Sequence, residues 1–347
     1  MPGSTANGEV TGAVSATSPV HPSSERAPED LRLALRAATM YYLDGLTQAE
    51  IAQRLGVSRP TAGRLVARAK SKGLVRIEVV VPPDLRDDLH TEEERALEQR
   101  FGLTEAVIAG HGIDAEVLEG PAAFATIGRA AAALLMRRLS ATDTLGFTWG
   151  HKLQAVAAAL TPGVASCHAV VQLDGAMSTV TYETGADYIL TRCADVLRAE
   201  AIRLPAPLYA DPATVTSMRS DSVMSRTLEA GRRADMMIFG VGAVSTSTTL
   251  FEGSFLDTRM LDELVSLGAV GEIGGRFFDA NGVPVDTELQ QRVISVPLED
   301  IQSCRKTILI SSGAAKHRAT LGALRGKLAR LLVCDIDCAR WLLGQDR

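Results

Sequence analysis

The residues best suited to bind a small molecule lie in glycine-containing loops that follow short apolar segments. Lys152 and Lys316 are cations that suit a phosphate or a carboxylate, while Asp174 and Glu272 can accept hydrogen bonds from hydroxyl groups. Where such loops enter helices at the carboxyl ends of parallel strands, free backbone N–H groups also attract anions. We therefore predict one pocket, lined by Gly150, His151, Lys152, Asp174, Gly175, Gly240, Gly242, Glu272 and Lys316.

Each part of this set also has a simpler interpretation. The 240–242 segment, Gly-Val-Gly, lacks a third glycine at dinucleotide spacing, so it does not predict NAD binding and is as consistent with a tight turn as with a ligand loop. Lys152 and Lys316 could be ordinary surface lysines at helix starts, and His151 could be a helix cap. Trp149 is better interpreted as a core residue than as a stacking platform.

A second set of residues has the spacing of a helix-turn-helix. Thr47 and Glu50 have the capping-box pattern that begins a short helix. Gly56 breaks that helix, and Ser58 caps the next one, which tolerates Pro60 because a first-turn residue needs no N–H. The small and apolar residues then match the packing template of the motif: Ile51, Ala52, Leu55, Gly56, Val57, Ala62 and Leu65.

The polar positions of the third helix predict contacts with double-stranded DNA. From Asp30 to Val80 there are nine Lys or Arg and four Asp or Glu, which gives a local charge of +5 in a chain of net charge -5. Such a basic patch gains affinity for DNA by releasing counterions from the phosphates. Arg59 and Arg64 are candidates for bidentate guanine contacts, and Gly63 would allow close approach to the DNA backbone. The alternative is a three-helix bundle whose basic face is only solvated. The predicted DNA-binding residues are Ser58, Arg59, Thr61, Arg64 and Arg68.

Composition and periodicity divide the chain into four segments. Residues 1–28 are rich in Ser, Thr, Ala, Gly and Pro, which predicts a disordered tail. Residues 29–82 form the helix-turn-helix domain, with a strand or wing from Leu74 to Val81, and residues 83–95 form a linker. Residues 96–347 alternate apolar and helical segments. The predicted fold class is α/β: an N-terminal all-α, winged helix-turn-helix domain and a larger doubly wound, mostly parallel α/β domain.

Three strand-loop-helix units organise the predicted α/β domain. Their strands span residues 143–147, 234–239 and 307–310, and each is followed by a loop that contains glycine. Between the last two units, residues 276–285 predict a hairpin centred on Asn281 and Gly282.

Cysteine usage and hydropathy favour a cytoplasmic protein. The five cysteines are odd in number and scattered, as expected in a reducing compartment. The N-terminus does not resemble a secretory signal, and no segment has the ~20 consecutive apolar residues of a membrane span, so we expect no membrane partner. Cys334 and Cys338 lie one helical turn apart without a second Cys or His pair, so we expect packing rather than metal ligation. No metal and no cofactor are predicted.

Six segments, in this order, resemble the SorC family of sugar-responsive bacterial transcriptional regulators. The resemblance covers nearly everything from about residue 30 to the C-terminus. The segments are Ser-Arg-Pro-Thr at 58–61, GFTWGHK at 146–152, VQLDG at 171–175, ADMMIFGVG at 234–242, GAVGEIGGRFFD at 268–279, and residues 316–335.

This resemblance implies an effector domain similar to the sugar-phosphate isomerase and CoA-transferase superfamily, a phosphorylated sugar or polyol as effector, and a homodimer or homotetramer. Gly150, Glu272 and Lys316 match the family's effector residues. The sequence departs from the family at His151 and Lys152, where the loop usually supplies hydroxyl groups, which leaves room for an unphosphorylated polyol or a different acid. Some relatives hold a lysine at the position of Asp174, so a Schiff-base sensor is not expected.

The leading hypothesis is a non-enzymatic regulator whose affinity for operator DNA depends on a sugar, polyol or sugar phosphate. The first alternative is a sugar-phosphate isomerase-like enzyme with an appended DNA-binding domain, in which Glu272 is the base and Lys152 or His151 the acid. A second alternative is an architectural protein whose large domain only oligomerises.

Overall fold

The computed structural model describes residues 26–77, 89–110, 121–177, 185–246, 248–252, 256–285 and 287–346. The chain divides into two compact units, Met1–Val81 and Pro82–Arg347. Most of the predicted tail and part of the predicted linker lie outside the described residues. The first helix begins at Arg26, before the predicted end of the tail, and residues 91–95, predicted as linker, belong to a helix.

The N-terminal unit has the three predicted helices: α1 (Arg26–Tyr42), α2 (Gln48–Leu55) and α3 (Arg59–Ser71). Both caps form as the sequence indicates. The Thr47 N–H donates to Glu50 Oε2 at 2.8 Å, and Ser58 accepts from the N–H of Thr61. Gly56 adopts φ +65°, in the left-handed region where a side chain would be strained.

The core of this unit is small and is built from short side chains. Ala37, Ile51, Ala52, Ala62 and Val66 are buried together, and Val66 is a core residue that the packing template did not include. Small residues let the three helices approach closely, so that two short helices hold a third at a fixed angle. The predicted wing is not a strand from Leu74 to Ile77, and its remaining residues lie outside those described.

The C-terminal unit is a parallel α/β sheet covered by helices. Among the described residues its strands are β1 (Glu105–Ala109), β2 (Thr144–Phe147), β3 (Ala169–Gln172), β4 (Glu200–Ile202), β5 (Met236–Gly240), β6 (Gly242–Ala243), β7 (Ala269–Ile273), β8 (Arg276–Asp279), β9 (Lys306–Ser311) and β10 (Leu331–Asp335). Its helices are α4 (Thr91–Phe101), α5 (Pro121–Arg138), α6 (His151–Ala159), α7 (Ala186–Leu197), α8 (Pro212–Ser220), α9 (Ser222–Arg232), α10 (Thr249–Glu252), α11 (Thr258–Ser266), α12 (Leu298–Ser303), α13 (His317–Arg325) and α14 (Ile336–Leu343).

Seven strands form the main sheet in the order β1-β10-β9-β5-β2-β3-β4, with every pairing parallel. Separate apolar cores cover its two faces; Phe239 and Leu309 belong to one, and Phe147 and Ile308 to the other. A sheet with both faces buried explains why its strands are continuous apolar runs rather than alternating patterns. The predicted doubly wound α/β class is confirmed.

The strands of the three predicted units are neighbours in this sheet. Phe147 pairs with Ile238 and Gly240 with Ile310, so that β2, β5 and β9 end side by side, with β3 next to β2. Because adjacent parallel strands deliver their following loops to one edge, the glycine-containing loops converge there.

A separate three-stranded antiparallel sheet, in the order β6-β7-β8, was not predicted. Its central turn is Gly274-Gly275, with φ of +55° and +76°, which suits a tight two-residue hairpin. The chain reverses again where the sequence predicts, at Asn281-Gly282: the Asp279 N–H donates to the Val283 carbonyl at 2.9 Å.

Candidate functional site

The predicted DNA-binding residues lie at the start and along one side of α3. Ser58, Arg59, Arg64 and Arg68 are exposed and Thr61 is half-buried. A short hydrogen-bond chain orders the first turn: the hydroxyl oxygens of Ser58 and Thr61 are 2.8 Å apart, and Arg64 Nη2 donates to Thr61 Oγ1 at 3.2 Å. The Arg64 guanidinium is thus held near the helix N-terminus, with donors left for a further partner.

Arg68 has a different environment from the other arginines. Its guanidinium forms an ion pair with Asp30 of α1 at 3.2 Å. Both side chains are substantially exposed, so this pair contributes little to stability. Arg68 is therefore partly neutralised within the unit, whereas no ion pair involves Arg59 or Arg64 among the described residues.

The structure gives a reason for Gly63 other than approach to DNA. A Cβ at this position would lie 3.1 Å from Oε1 of Gln48, at the start of α2. The glycine therefore relieves crowding where α2 crosses α3. This contact between positions 63 and 48 joins two helices of the same unit, so the residues next to Gly63 in the sequence do not predict it.

In the C-terminal unit, the predicted pocket residues surround a cavity of about 370 Å³. Eight of the nine line it: Gly150, His151, Lys152, Asp174, Gly240, Gly242, Glu272 and Lys316. Gly175 does not. A Cβ there would lie 2.3 Å from the Pro207 carbonyl oxygen, so this glycine permits close backbone packing behind the cavity wall.

The lining comes from both sheets. Gly150, at φ +127°, starts α6 directly after β2, and Lys316 ends a single 3₁₀ turn, Ala314–Lys316, that follows β9. Asp174 follows β3. Glu272, by contrast, lies on β7 of the antiparallel sheet rather than at the edge of the parallel sheet. The small sheet thus supplies one of the two carboxyl groups.

The carboxyl groups of Asp174 and Glu272, called here the acidic end, lie close enough for their charges to interact, and Glu272 also interacts with Lys316. Asp174 is buried, and removal from water raises its pKa well above the ordinary value, with the Glu272 charge as the next cause. Removal from water also raises the pKa of Glu272, although Glu272 Oε2 accepts the Gly275 N–H at 2.8 Å. Asp174 Oδ1 has no hydrogen-bond partner among the described residues. The acidic end therefore retains unused acceptor capacity.

Gly242 is required by the position of Glu272. A Cβ on Gly242 would lie 1.8 Å from Glu272 Oε1, where β6 pairs with β7. Any side chain at position 242 would displace the carboxylate. Gly242 thus leaves the space that the Glu272 side chain occupies, and it also lines the cavity.

Lys152 and Lys316 form the basic end. Removal from water, followed by the Lys316 charge, lowers the pKa of Lys152 to about 8. Burial also lowers the pKa of Lys316, opposed by the Glu272 charge. The Lys152 ammonium lies 5.8 Å from the centroid of the Phe124 ring, and that ring stacks on His151 at 5.7 Å. Because the Lys316 charge disfavours the charged form of Lys152, a bound anion beside Lys152 would be favourable.

Several lining residues were not predicted. Trp149, interpreted from the sequence as a core residue, packs on the core and also lines the cavity, while its indole N–H donates to the Gly175 carbonyl at 2.8 Å. Phe124 comes from α5, distant in sequence from any glycine-containing loop, and carried no local signal. The others missed are Thr148, Leu153, Leu208, Val241, Thr248, Leu250, Gly274 and Gly275.

A helix-turn-helix unit joined to an α/β unit with a polar cavity defines the class of ligand-responsive transcriptional regulators. Residues 88–344 match the family described as "Putative sugar-binding domain", and residues 38–87 match the MarR family.

Relatives of the same arrangement identify the family. The chain is 31% identical to the deoxyribonucleoside regulator of Bacillus subtilis, over 91% of this chain and 98% of that protein. It is 27% identical to the sorbitol operon regulator of Klebsiella pneumoniae, over 91% of this chain and 98% of that protein. The crystal structure of the full-length sorbitol operon regulator SorC covers 91% of this chain and all of that one, with a TM-score of 0.67. The chain belongs to the SorC family of sugar-binding transcriptional regulators, which confirms the resemblance seen in its sequence.

The relatives compared are named as transcriptional regulators rather than enzymes. None of the helices in the described part of the chain combines the length and apolar character needed to cross a bilayer.

We expect Asp174→Asn to stabilise the ligand-free protein more at about pH 8 than at about pH 5. Folding raises the pKa of Asp174 from about 3.9 in the unfolded chain, so the folded protein holds a proton that the unfolded chain releases. The free energy of unfolding therefore falls as the pH rises toward the folded pKa. Asparagine does not titrate, and thermal melting across this pH range measures the difference.

The control for this experiment is Glu288→Gln, which replaces an exposed carboxyl group in the same unit. Its melting temperature should differ from that of the wild type by the same amount at both pH values. If the difference in melting temperature between Asp174→Asn and the wild type were also the same at both pH values, the expected proton uptake by Asp174 would be contradicted.

Proposed function

We propose that this regulator binds operator DNA through α3 and that a sugar phosphate or polyol in the cavity changes its operator affinity. The observation that carries the proposal is a single cavity lined by two lysines and two carboxyl groups, in which Lys316 and Glu272 are close enough to interact. The lysines suit a phosphate or another anionic group, and the carboxyl groups suit hydroxyl groups. The relative named a sorbitol operon regulator supports a polyhydroxylated ligand.

The basic end supports an anion through more than the lysines. α6 begins at His151 directly after Gly150, so the first backbone N–H groups of this helix lie at the cavity wall. Free N–H groups and the helix dipole both favour negative charge at such a position. An anion here would also relieve the repulsion between Lys152 and Lys316. An unphosphorylated polyol would gain no such relief, so we favour the phosphorylated ligand.

The proposal for DNA rests on α3. Arg59 and Arg64 are exposed near its N-terminus, the part of a recognition helix that reaches base edges in the major groove. Ser58 and Thr61 suit phosphate or base contacts, and Arg68 suits a phosphate. We propose a homodimer or homotetramer, in which paired helices read half-sites about one helical turn, or a multiple of it, apart.

Regulation then requires that the ligand favour one arrangement of the paired DNA-binding units. The coupling free energy needed is about 1–3 kcal/mol, typical of such systems. We propose that the cavity binds its ligand without converting it, in keeping with relatives named as regulators. Incubation of the purified protein with sugar phosphates tests this, because consumption of any of them would favour the isomerase-like alternative.

Arg64→Ala should weaken specific operator binding by roughly 1–3 kcal/mol without changing the fold, because it removes a candidate base contact. Arg64→Lys is the matched variant: it keeps the charge but loses bidentate geometry, so it should keep affinity for random duplex while losing preference for the operator. Gel-shift titrations at fixed salt measure both. Operator affinity that is unchanged in both variants would place the contacts elsewhere.

Lys316→Ala should abolish the ligand's influence on operator binding while leaving operator binding itself intact. A panel of sugar phosphates and polyols, screened by the ligand-dependent rise in melting temperature, supplies the probe. Arg318→Ala is the matched control, since it removes an exposed cation two residues away that does not line the cavity. If the Lys316→Ala protein responds at wild-type ligand concentrations, the cavity is not the sensor.

Affinity for a phosphorylated ligand should fall as the pH rises above about 8, where Lys152 loses its proton. The sign follows because the anion binds the protonated lysine, so deprotonation removes an attraction. Lys152→Arg keeps its charge across this range and should flatten the profile between about pH 7 and about pH 9.5. Isothermal titration calorimetry measures both proteins, and parallel profiles would exclude Lys152 from the anion site.

A further inference from the structure

We propose a transition-metal site at His317, Asp335 and Cys338, for which Zn²⁺ is the best-matched ion. One ligand atom from each side chain lies within 4.8 Å of the others. All three residues are buried, with exposures of 4% for His317, 4% for Asp335 and 0% for Cys338. Imidazole nitrogen, carboxylate oxygen and thiolate sulfur are the ligands that zinc takes in proteins.

The fold brings these donors together at the edge of the parallel sheet. β9 and β10 are neighbours, and each is followed by a helix, so the N-termini of α13 and α14 lie close together. His317 is the first residue of α13. Asp335 ends β10 and caps α14, and Cys338 lies in the first turn of that helix. The donor set is thus fixed by two adjacent strand-helix junctions rather than by a mobile loop.

The His317 ring provides a second indication, because it makes no hydrogen bond through Nε2 to any described residue, although the Asp337 carboxylate lies within ion-pair distance. Its Nε2 atom is buried and has no hydrogen-bond partner among the described residues. An unsatisfied buried nitrogen costs free energy, and a metal ion would use its lone pair. The ring is held by Trp341, at 5.1 Å between centroids. Asp337 Oδ2 lies 3.5 Å from Nε2 on an exposed side chain that can supply a fourth ligand.

The surroundings resemble the outer shell of a metal site. Asp335 Oδ2 accepts the Gly313 N–H and Oδ1 accepts the Cys338 N–H, both at 2.7 Å. Ligating carboxylates and thiolates are typically held by such second contacts, which orient them before the ion binds. Each oxygen of Asp335 keeps a lone pair for a metal.

Only a modest adjustment separates this cluster from zinc geometry. Ligands 2.0–2.3 Å from a tetrahedral ion lie about 3.3–3.8 Å apart, somewhat closer than the present limit of 4.8 Å. Side-chain rotation can bring three atoms from helix starts closer without moving the strands. The sequence predicts packing for Cys334 and Cys338 because no second Cys or His pair accompanies them; in space, His317 and Asp335 are the companions of Cys338.

The proposed metal site lies near Lys152 of the cavity, whose charge interacts with Asp335 and Cys338. Metal binding is nevertheless measured without any cavity ligand, so this inference and the proposed function can fail separately. The test uses the full chain, reduced and stripped of metal with a chelator. We expect it to bind one equivalent of Zn²⁺ in competition with a chromophoric chelator. Co²⁺ used as the probe in place of Zn²⁺ should give a sulfur-to-metal charge-transfer band, which reports a thiolate ligand directly.

Variants locate the site. Changes to outer-shell partners alone typically lower metal affinity by about 10–100-fold. Loss of a direct ligand should cost more, so we expect Cys338→Ser and His317→Asn each to lower Zn²⁺ affinity by at least about 100-fold. Cys338→Ser should also remove the Co²⁺ charge-transfer band. Cys193→Ser, which alters a buried cysteine in the other apolar core, should retain both.

Two results would overturn the proposal. One is a wild-type protein that shows no Co²⁺ charge-transfer band and no Zn²⁺ binding at micromolar concentration, a result that needs no variant to fold. The other is a band that survives in folded Cys338→Ser protein, because the sulfur ligand would then be another cysteine.

Discussion

Parallel pairing of β3, β2, β5 and β9 constrains where the loops that follow these strands can lie. Because the strands are parallel, the loops that follow them all lie at the same edge of the sheet. Polar residues far apart in sequence therefore lie close together, even where they do not contact one another. The apolar cores on both faces fix this edge, since a shift of one strand would disturb buried side chains on each side. The pocket and the cluster around His317 both depend on that alignment.

The polar groups so assembled are not at their lowest electrostatic energy. Lys152 lies near Lys316, and Asp174 near Glu272, in surroundings that disfavour charge on all four. A structure built only for stability would separate like charges or replace them with apolar groups. In the proposed function, a ligand with an anionic group and hydroxyl groups would offset these costs, and regulation would further require that it bind one conformation more tightly than the other.

The sequence predicted those features whose physics is local. Caps at Thr47 and Ser58 formed as predicted because their hydrogen bonds join residues three apart, and the strand-glycine-helix units were recognisable for the same reason. Contacts between distant segments were not predictable. Phe124 on α5, the antiparallel sheet that carries Glu272, and the packing of Gly63 against Gln48 each depend on which elements become neighbours. Gly175 was expected to line the pocket and does not, because a glycine that packs against a carbonyl cannot be distinguished by sequence from a glycine that faces a ligand.

The absence of a side chain at position 242 makes the acidic end adjustable. Because the Glu272 carboxylate fills the space that a Cβ would need, one added methyl group would tilt this acceptor while leaving its chemistry untouched. Ligand preference would then change because the position of the carboxylate changes, while the functional groups that line the cavity stay the same. In the proposed function, substitution at this glycine is thus a route by which effector preference can be engineered on an otherwise unaltered scaffold.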